Sequence, residues 1–269
     1  MKRSISSRGV AKLRFVLSML VLSGGMLGAE MIASDYAHDD AYIDGWNEGT
    51  NGGYGFEPWL LYASTVSAPD QHAGFFLADA EVEADLNGAA TLARSFGSFA
   101  NGVGFEETIA VRTFEYPLEP GDIFSCKFEF DGFEAKFEGE EGEIASVGLA
   151  LRAGRNMAQR DELANNSLFT LCVLNGLSTY QIFDGSGRFN TRVFVDPAGV
   201  ELTVEVLTEE TYNLTLRTIS ESRVFRLDNR SFLLPERSGE APDIEGLAFF
   251  NFNGGRNNAY LDALVIEGP

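Results

Sequence analysis

Apolar and polar residues alternate with a period of two along most of the chain. Phe124, Cys126, Phe128 and Phe130 alternate with Ser125, Lys127 and Glu129, and Val200, Leu202, Val204 and Val206 alternate with Glu201, Thr203 and Glu205. A two-residue period puts successive side chains on opposite faces, so each run predicts a strand with one buried face. After the turn at Thr208-Glu209-Glu210 the pattern resumes with Tyr212, Leu214 and Leu216, which predicts an antiparallel hairpin over 200–216. Further strands are predicted over 74–78, 95–100, 108–115, 145–151, 168–174, 179–183, 223–227, 247–252 and 259–266. Asp131-Gly132, Asn175-Gly176, Asp184-Gly185 and Asn253-Gly254-Gly255 supply turn chemistry between them. No stretch sustains a helical period; residues 157–166 fit one helical turn or a loop. Many short strands separated by turn signals predict an all-β, two-sheet antiparallel β-sandwich.

The first 29 residues break this pattern. Lys2, Arg3, Arg8, Lys12 and Arg14 precede an apolar run, FVLSMLVLSGGMLGA, that Gly24 and Gly25 interrupt. The run is too short and broken for a membrane-spanning helix, and the order of a basic and then an apolar region reads as an export signal cleaved after Ala29; an uncleaved anchor is the alternative. Residues 30–269 then form a single sandwich domain, exported to the periplasm or beyond, with no membrane span. Losing the leader's five basic residues leaves 15 basic against 40 acidic, a net charge of −25. Phosphate binding needs clustered Lys and Arg, so nucleic acid is excluded as a partner. Calcium binding and solubility in salty water are functional readings of the acidity; a solvated acidic surface is the plainer one.

Three stretches carry a resemblance: GTNGGYGFEPW (49–59), SFGSFANG (95–102) and FFNFNGGRNNAYLDALVI (249–266). In this order they resemble a family of exported domains of Verrucomicrobia and Planctomycetes whose members often carry a PEP-CTERM-type sorting tail. The resemblance covers nearly all of the chain after the leader. It implies a jelly roll of the concanavalin A-like type and carries over no catalytic residue. The chain departs from many members in ending at Pro269, directly after the last predicted strand and without that tail.

Candidate chemistry is sparse. Cys126 and Cys172 are the only cysteines; in an oxidising compartment they form one disulfide or stay two small buried hydrophobes. His38 and His72, the only histidines, lie in no recognisable motif. Glu129, Asp131 and Glu134 fit the Glu-x-Asp-x-x-Glu pattern of laminarinase-like glycoside hydrolases, with Glu129 as nucleophile, Asp131 as its helper and Glu134 as acid/base. Against this, Asp131-Gly132 predicts that the strand ends there. Asp39, Asp40 and Asp44 near the start of the domain, with Asp262 near its end, supply the oxygen ligands calcium takes, if the first and last strands pair. Both tryptophans, Trp46 and Trp59, lie among the glycines of residues 45–59. Trp46 and Tyr54 are candidates for a sugar-binding platform, while Trp59 leads into Leu60-Leu61-Tyr62 and reads as a buried clasp. The expectation is an exported non-catalytic module that binds extracellular polysaccharide. A laminarinase-like hydrolase and a structural envelope or matrix protein are the alternatives.

Overall fold

The computed structural model describes residues 29–64, 72–101, 106–133, 145–156, 159–233 and 242–269. Fifteen strands are found among them. β1 (Glu30–Asp35), β2 (Leu60–Ser64), β3 (Ala73–Asp79), β4 (Arg94–Ala100), β5 (Glu107–Leu118), β6 (Ile123–Phe130) and β7 (Ser146–Arg152) precede a short helix, α1 (Arg160–Asn166). β8 (Ser167–Leu174), β9 (Thr179–Asp184), β10 (Gly187–Phe194), β11 (Val200–Thr208), β12 (Thr211–Thr218), β13 (Val224–Ser231), β14 (Ile244–Phe252) and β15 (Ala259–Gly268) follow it.

The strands form two antiparallel sheets. The first has the order β13-β12-β11-β6-β15-β4-β3, with β1 also on β15; the second has the order β10-β9-β8-β7-β14-β5-β2. The chain changes sheet between β5 and β6, between β6 and β7, and between β14 and β15, so these neighbours in sequence lie in opposite layers, while β7–β10 and β11–β13 each run on within one sheet. This is the expected two-sheet jelly-roll sandwich. The predicted hairpin is β11–β12, with Val204 opposite Leu214 and Leu202 opposite Leu216.

The period-two pattern decides what lies between the layers. Phe124, Phe128, Leu202, Val204 and Leu214 of the first sheet join Leu149, Phe169, Leu171, Leu247 and Phe249 of the second in one fully buried cluster. A second apolar cluster, with Ile109, Val111, Ala150, Cys172 and Phe250, lies apart from it. In β5, Ile109 and Val111 belong to this second cluster while Ala110 and Phe114 belong to the first, so the second cluster lies on the outer face of its sheet. Leu163 of α1 covers part of that face. Among the described residues no helix is long and apolar enough to cross a membrane.

β15 pairs with β6 along most of its length. Its other side is shared between β4, through Ala259–Leu261, and β1, through Leu264–Gly268. Ala263, at φ 54°, sits at the register shift between these two halves. The first and last strands therefore pair.

The sandwich has two sides where sheet edges face each other. On one, Arg230 of β13 grips Asp184 of β9 through two hydrogen bonds of 2.9 and 2.7 Å, and Tyr212 donates to the same carboxylate at 2.5 Å. On the other, residues 53–57 form a strap between the layers. Tyr54 exchanges two backbone hydrogen bonds with Ser34 of β1, at 3.0 and 2.9 Å, while Gly55 accepts from Glu115 and Glu57 donates to Thr113, both 2.9 Å, along β5. At Gly53 (φ 65°) a Cβ would fall 1.8 Å from the Ser34 carbonyl oxygen, so the strap can lie this close to β1 only with glycine there.

Candidate functional site

Both tryptophans lie behind the strap. Trp59 is fully buried and Trp46 nearly so. Their rings meet edge to face at 5.0 Å, and Trp46 also packs on Phe75 at 5.1 Å. The Trp59 indole N–H donates to the Tyr42 hydroxyl at 3.0 Å, and that hydroxyl donates to Asp35 at 2.8 Å. Arg112 pairs with Asp35 at 2.8 Å, both side chains fully buried, and also donates to the carbonyls of Gly52, at 2.9 Å, and Glu57. Its guanidinium lies 5.2 Å from the Phe56 ring centre and 5.1 Å from that of Trp59. Burial pushes the Asp35 carboxyl up to about 6, while Arg112 and the Tyr42 phenol oppose the shift. The assembly ties β1, β5 and the strap together. The platform reading of Trp46 is corrected here: an indole with no exposed face cannot stack on a sugar.

Tyr54 is placed differently. Its hydroxyl donates to the Met31 carbonyl at 3.1 Å, which fixes the ring, yet 51% of the residue stays exposed. Opposite it, β5 loses register: Thr113 faces Gly246 and the next paired residue, Leu118, faces Ile244. The extra residues bulge outward, and a bulge re-aims the side chains it carries. Tyr116 on this bulge is 75% exposed. The two tyrosines line one cleft of about 340 Å³, with Ile32, Leu118 and Ile266 among its apolar residues. Glu115 and Glu119, both exposed, and Asp122 give it carboxylates. Tyr54 was marked in the sequence. Tyr116 was not, and its only signal there is an aromatic beside Pro117 at the ragged end of an apolar run.

The hydrolase pattern is corrected at Glu129. The strand ends at Phe130, and Gly132 takes φ 89°, as the turn signal requires. Glu129 is fully buried, and its carboxylate accepts from the backbone N–H groups of Asn87, Gly88 and Ala89 at 2.7, 2.8 and 2.7 Å and from the Asn87 side chain at 3.3 Å. A carboxylate committed to four donors and shut from solvent holds a loop and has no lone pair presented to a substrate. Glu134 lies outside the described residues. Asp131 is pushed up to about 6 by burial and then by the negative charges of Glu129 and Asp85. Folded protein therefore holds this proton more tightly than unfolded chain, and stability falls as pH rises from about 4 to 6. Asp131→Asn is expected to leave stability unchanged below pH 4 and to raise it above pH 6, by about 1 kcal/mol once solvent screening is allowed for. Urea titrations at pH 4 and 7 check this; an equal effect at both would refute it.

The calcium set does not converge. Asp262 is buried and accepts from the Ala37 N–H at 2.8 Å, Asp39 accepts from the Tyr36 N–H, and Asp40 and Asp44 point to solvent. Among the described residues no group of three or more His, Cys, Asp or Glu side chains is placed to hold a metal ion. The disulfide is likewise corrected: Cys126 and Cys172 are free. Cys126 faces the interlayer core, and Cys172 the outer face of the other sheet. Burial pushes the Cys172 thiol up to about 12, and Cys126 upward as well.

No protein-family description and no curated protein matches the chain. Solved structures do. The VIP36 exoplasmic/lumenal domain in its Ca2+/Man3GlcNAc-bound form is similar at 7% identity and a TM-score of 0.43, over 74% of this chain and 84% of that one. A carbohydrate esterase, vb_24B_21 of the Shiga toxin-encoding bacteriophage phi24B, is similar at 12% and 0.45, over 90% and 99%. A legume lectin-like domain from Entamoeba histolytica is similar at 10% and 0.40, over 74% and 90%. Likenesses this distant assign neither ligand nor activity.

Proposed function

We propose that the protein is an exported, non-catalytic β-sandwich module, of the kind its resemblance to exported bacterial domains implies, that binds a neutral glycan in the Tyr54–Tyr116 cleft. One observation supports this: two exposed tyrosines, one fixed by its own hydrogen bond and one displayed by a bulge, flank a single cleft with carboxylates among its lining residues. Apolar C–H faces of a sugar ring stack on fixed aromatic rings, and its hydroxyls donate to carboxylates. Glu115, Glu119 and Asp122 repel acidic sugars, so the ligand is uncharged. The export reading rests on the leader, whose removal after Ala29 would leave Glu30, the first residue of β1, as the new terminus.

The test is a glycan array with protein secreted by a host cell, its amino terminus set by intact mass. Glu30 is expected as the first residue, and a mass starting at Met1 refutes the export reading. Neutral oligosaccharides are expected to bind. Tyr54→Ala and Tyr116→Ala should each weaken binding at least tenfold. Tyr116→Ala should melt within about 2 °C of the parent, since an exposed ring away from structural features contributes little to stability, and Tyr54→Ala should lose only about 1 kcal/mol with its one hydrogen bond to Met31. Variants that bind as the parent does would remove this cleft from consideration.

A further inference from the structure

The opposite side of the sandwich carries a second cleft, of about 420 Å³, between β10 and β13. Its chemistry differs from that of the tyrosine cleft. β10 loses register between Asn190, opposite Gln181, and Phe194, opposite Thr179. Thr191 pins the bulge: its hydroxyl donates to the Tyr180 carbonyl at 2.8 Å and accepts from the Val193 N–H at 3.0 Å. Within the bulge Arg192 adopts φ 59°, a conformation that costs a non-glycine residue free energy and clusters at binding sites. Phe194 is 67% exposed, and Val224, on the facing strand, 53%. Arg192 and Arg223 both line the cleft.

The charges of the cleft are not equivalent. Asp196 is buried and answered by three donors: the Ala198 N–H at 3.0 Å, the Ser220 N–H at 3.1 Å and the Ser220 hydroxyl at 2.6 Å. Glu221 is exposed and pairs with Arg223 at 2.8 Å. Such surface pairs are weak and exchange readily for a better anion. Arg192 makes no ion pair among the described residues. In a chain with 40 acidic and 20 basic residues, an arginine held in strained backbone, unpaired, beside an exposed phenylalanine, is a place prepared for an anion that also has an apolar face.

We infer that this cleft binds an acidic sugar, with Arg192 and Arg223 taking the carboxylate of a uronic acid residue and Phe194 stacking on its ring. Guanidinium groups match carboxylates through paired N–H donors, and an aromatic ring provides the surface for the sugar's C–H face. The inference stands apart from the tyrosine cleft, which takes the uncharged ligand.

The test is titration calorimetry of the full mature chain with oligogalacturonate, neutral dextran of similar length, dextran sulfate and inorganic phosphate as probes. Oligogalacturonate is expected to bind, and to bind more weakly as salt rises from about 50 to 200 mM. Arg192→Gln and Phe194→Ala should each weaken it at least tenfold with unchanged melting, and Glu221→Gln should tighten it severalfold by freeing Arg223. Tyr54→Ala should leave it unaltered, which separates failure here from failure of the neutral-glycan reading. Unaltered binding by Arg192→Gln and Phe194→Ala overturns the site. Phosphate or dextran sulfate binding as tightly as oligogalacturonate overturns the assignment to a uronate.

Discussion

Arg112→Met is expected to destabilise the protein by about 3–5 kcal/mol, the cost of leaving a buried charge without its partner. Asp35 is fully enclosed, and Arg112 is the only cation it pairs with among the described residues. The variant also leaves the Gly52 and Glu57 carbonyls without the donor that holds the strap. Methionine keeps the length of the chain stem, so the loss reads the charge and its hydrogen bonds more than a cavity. Adding Asp35→Asn removes the orphaned charge and still offers Tyr42 an acceptor, so the double variant is expected to regain at least half of the loss. Urea unfolding of the parent, the two single variants and the double variant measures this. A single-variant cost under about 1 kcal/mol, or no coupling between the two sites, would falsify the view that the pair is the keystone of the clasp.

Trp59→Ala is expected to cost about 3–5 kcal/mol, as truncation of a buried aromatic side chain does. The ring contacts Trp46, Phe96 and the Arg112 guanidinium, and its N–H reaches Tyr42. Trp59→Phe keeps most of the packing and gives up the hydrogen bond, for about 1 kcal/mol. Sugars that bind at Tyr54 and Tyr116 should bind Trp59→Phe as they bind the parent. A Trp59→Ala protein that melts like the parent would end the clasp assignment.

The layered fold was legible because period-two alternation is a local property: the runs at 124–130 and 200–216 declare their buried faces without reference to any partner. β10 escaped because its inward residues, Phe189, Thr191 and Val193, are only partly apolar and its register breaks within them. β1 escaped because only its last three residues are buried, and what defines it is pairing with a strand more than 220 residues away. A separation of 77 residues likewise hid the Arg112–Asp35 pair, although a lone arginine in the apolar stretch TIAVRTF was a usable signal. Strand alternation says which residues share a face but not which strands lie opposite, so it could not decide whether Cys126 meets Cys172. Tyr54 could be marked from its glycine setting; Tyr116, Arg192 and Phe194 owe their display to bulges, which depend on mismatched partner strands and leave little trace in either strand alone.

The place of β15 has a consequence for the order of assembly. It lies between β6 on one side and β4 and β1 on the other, yet it is the last of these strands to be synthesised. Until residues 259–268 have emerged, β6, β4 and β1 lack their shared neighbour, and the interior aromatics of that layer have no continuous surface to close upon. Pairing between distant segments is slow because the loop entropy must be overcome first. A nascent chain of this topology therefore stays open in this layer while it lengthens, and the layer commits to its compact form only once β15 itself has been made.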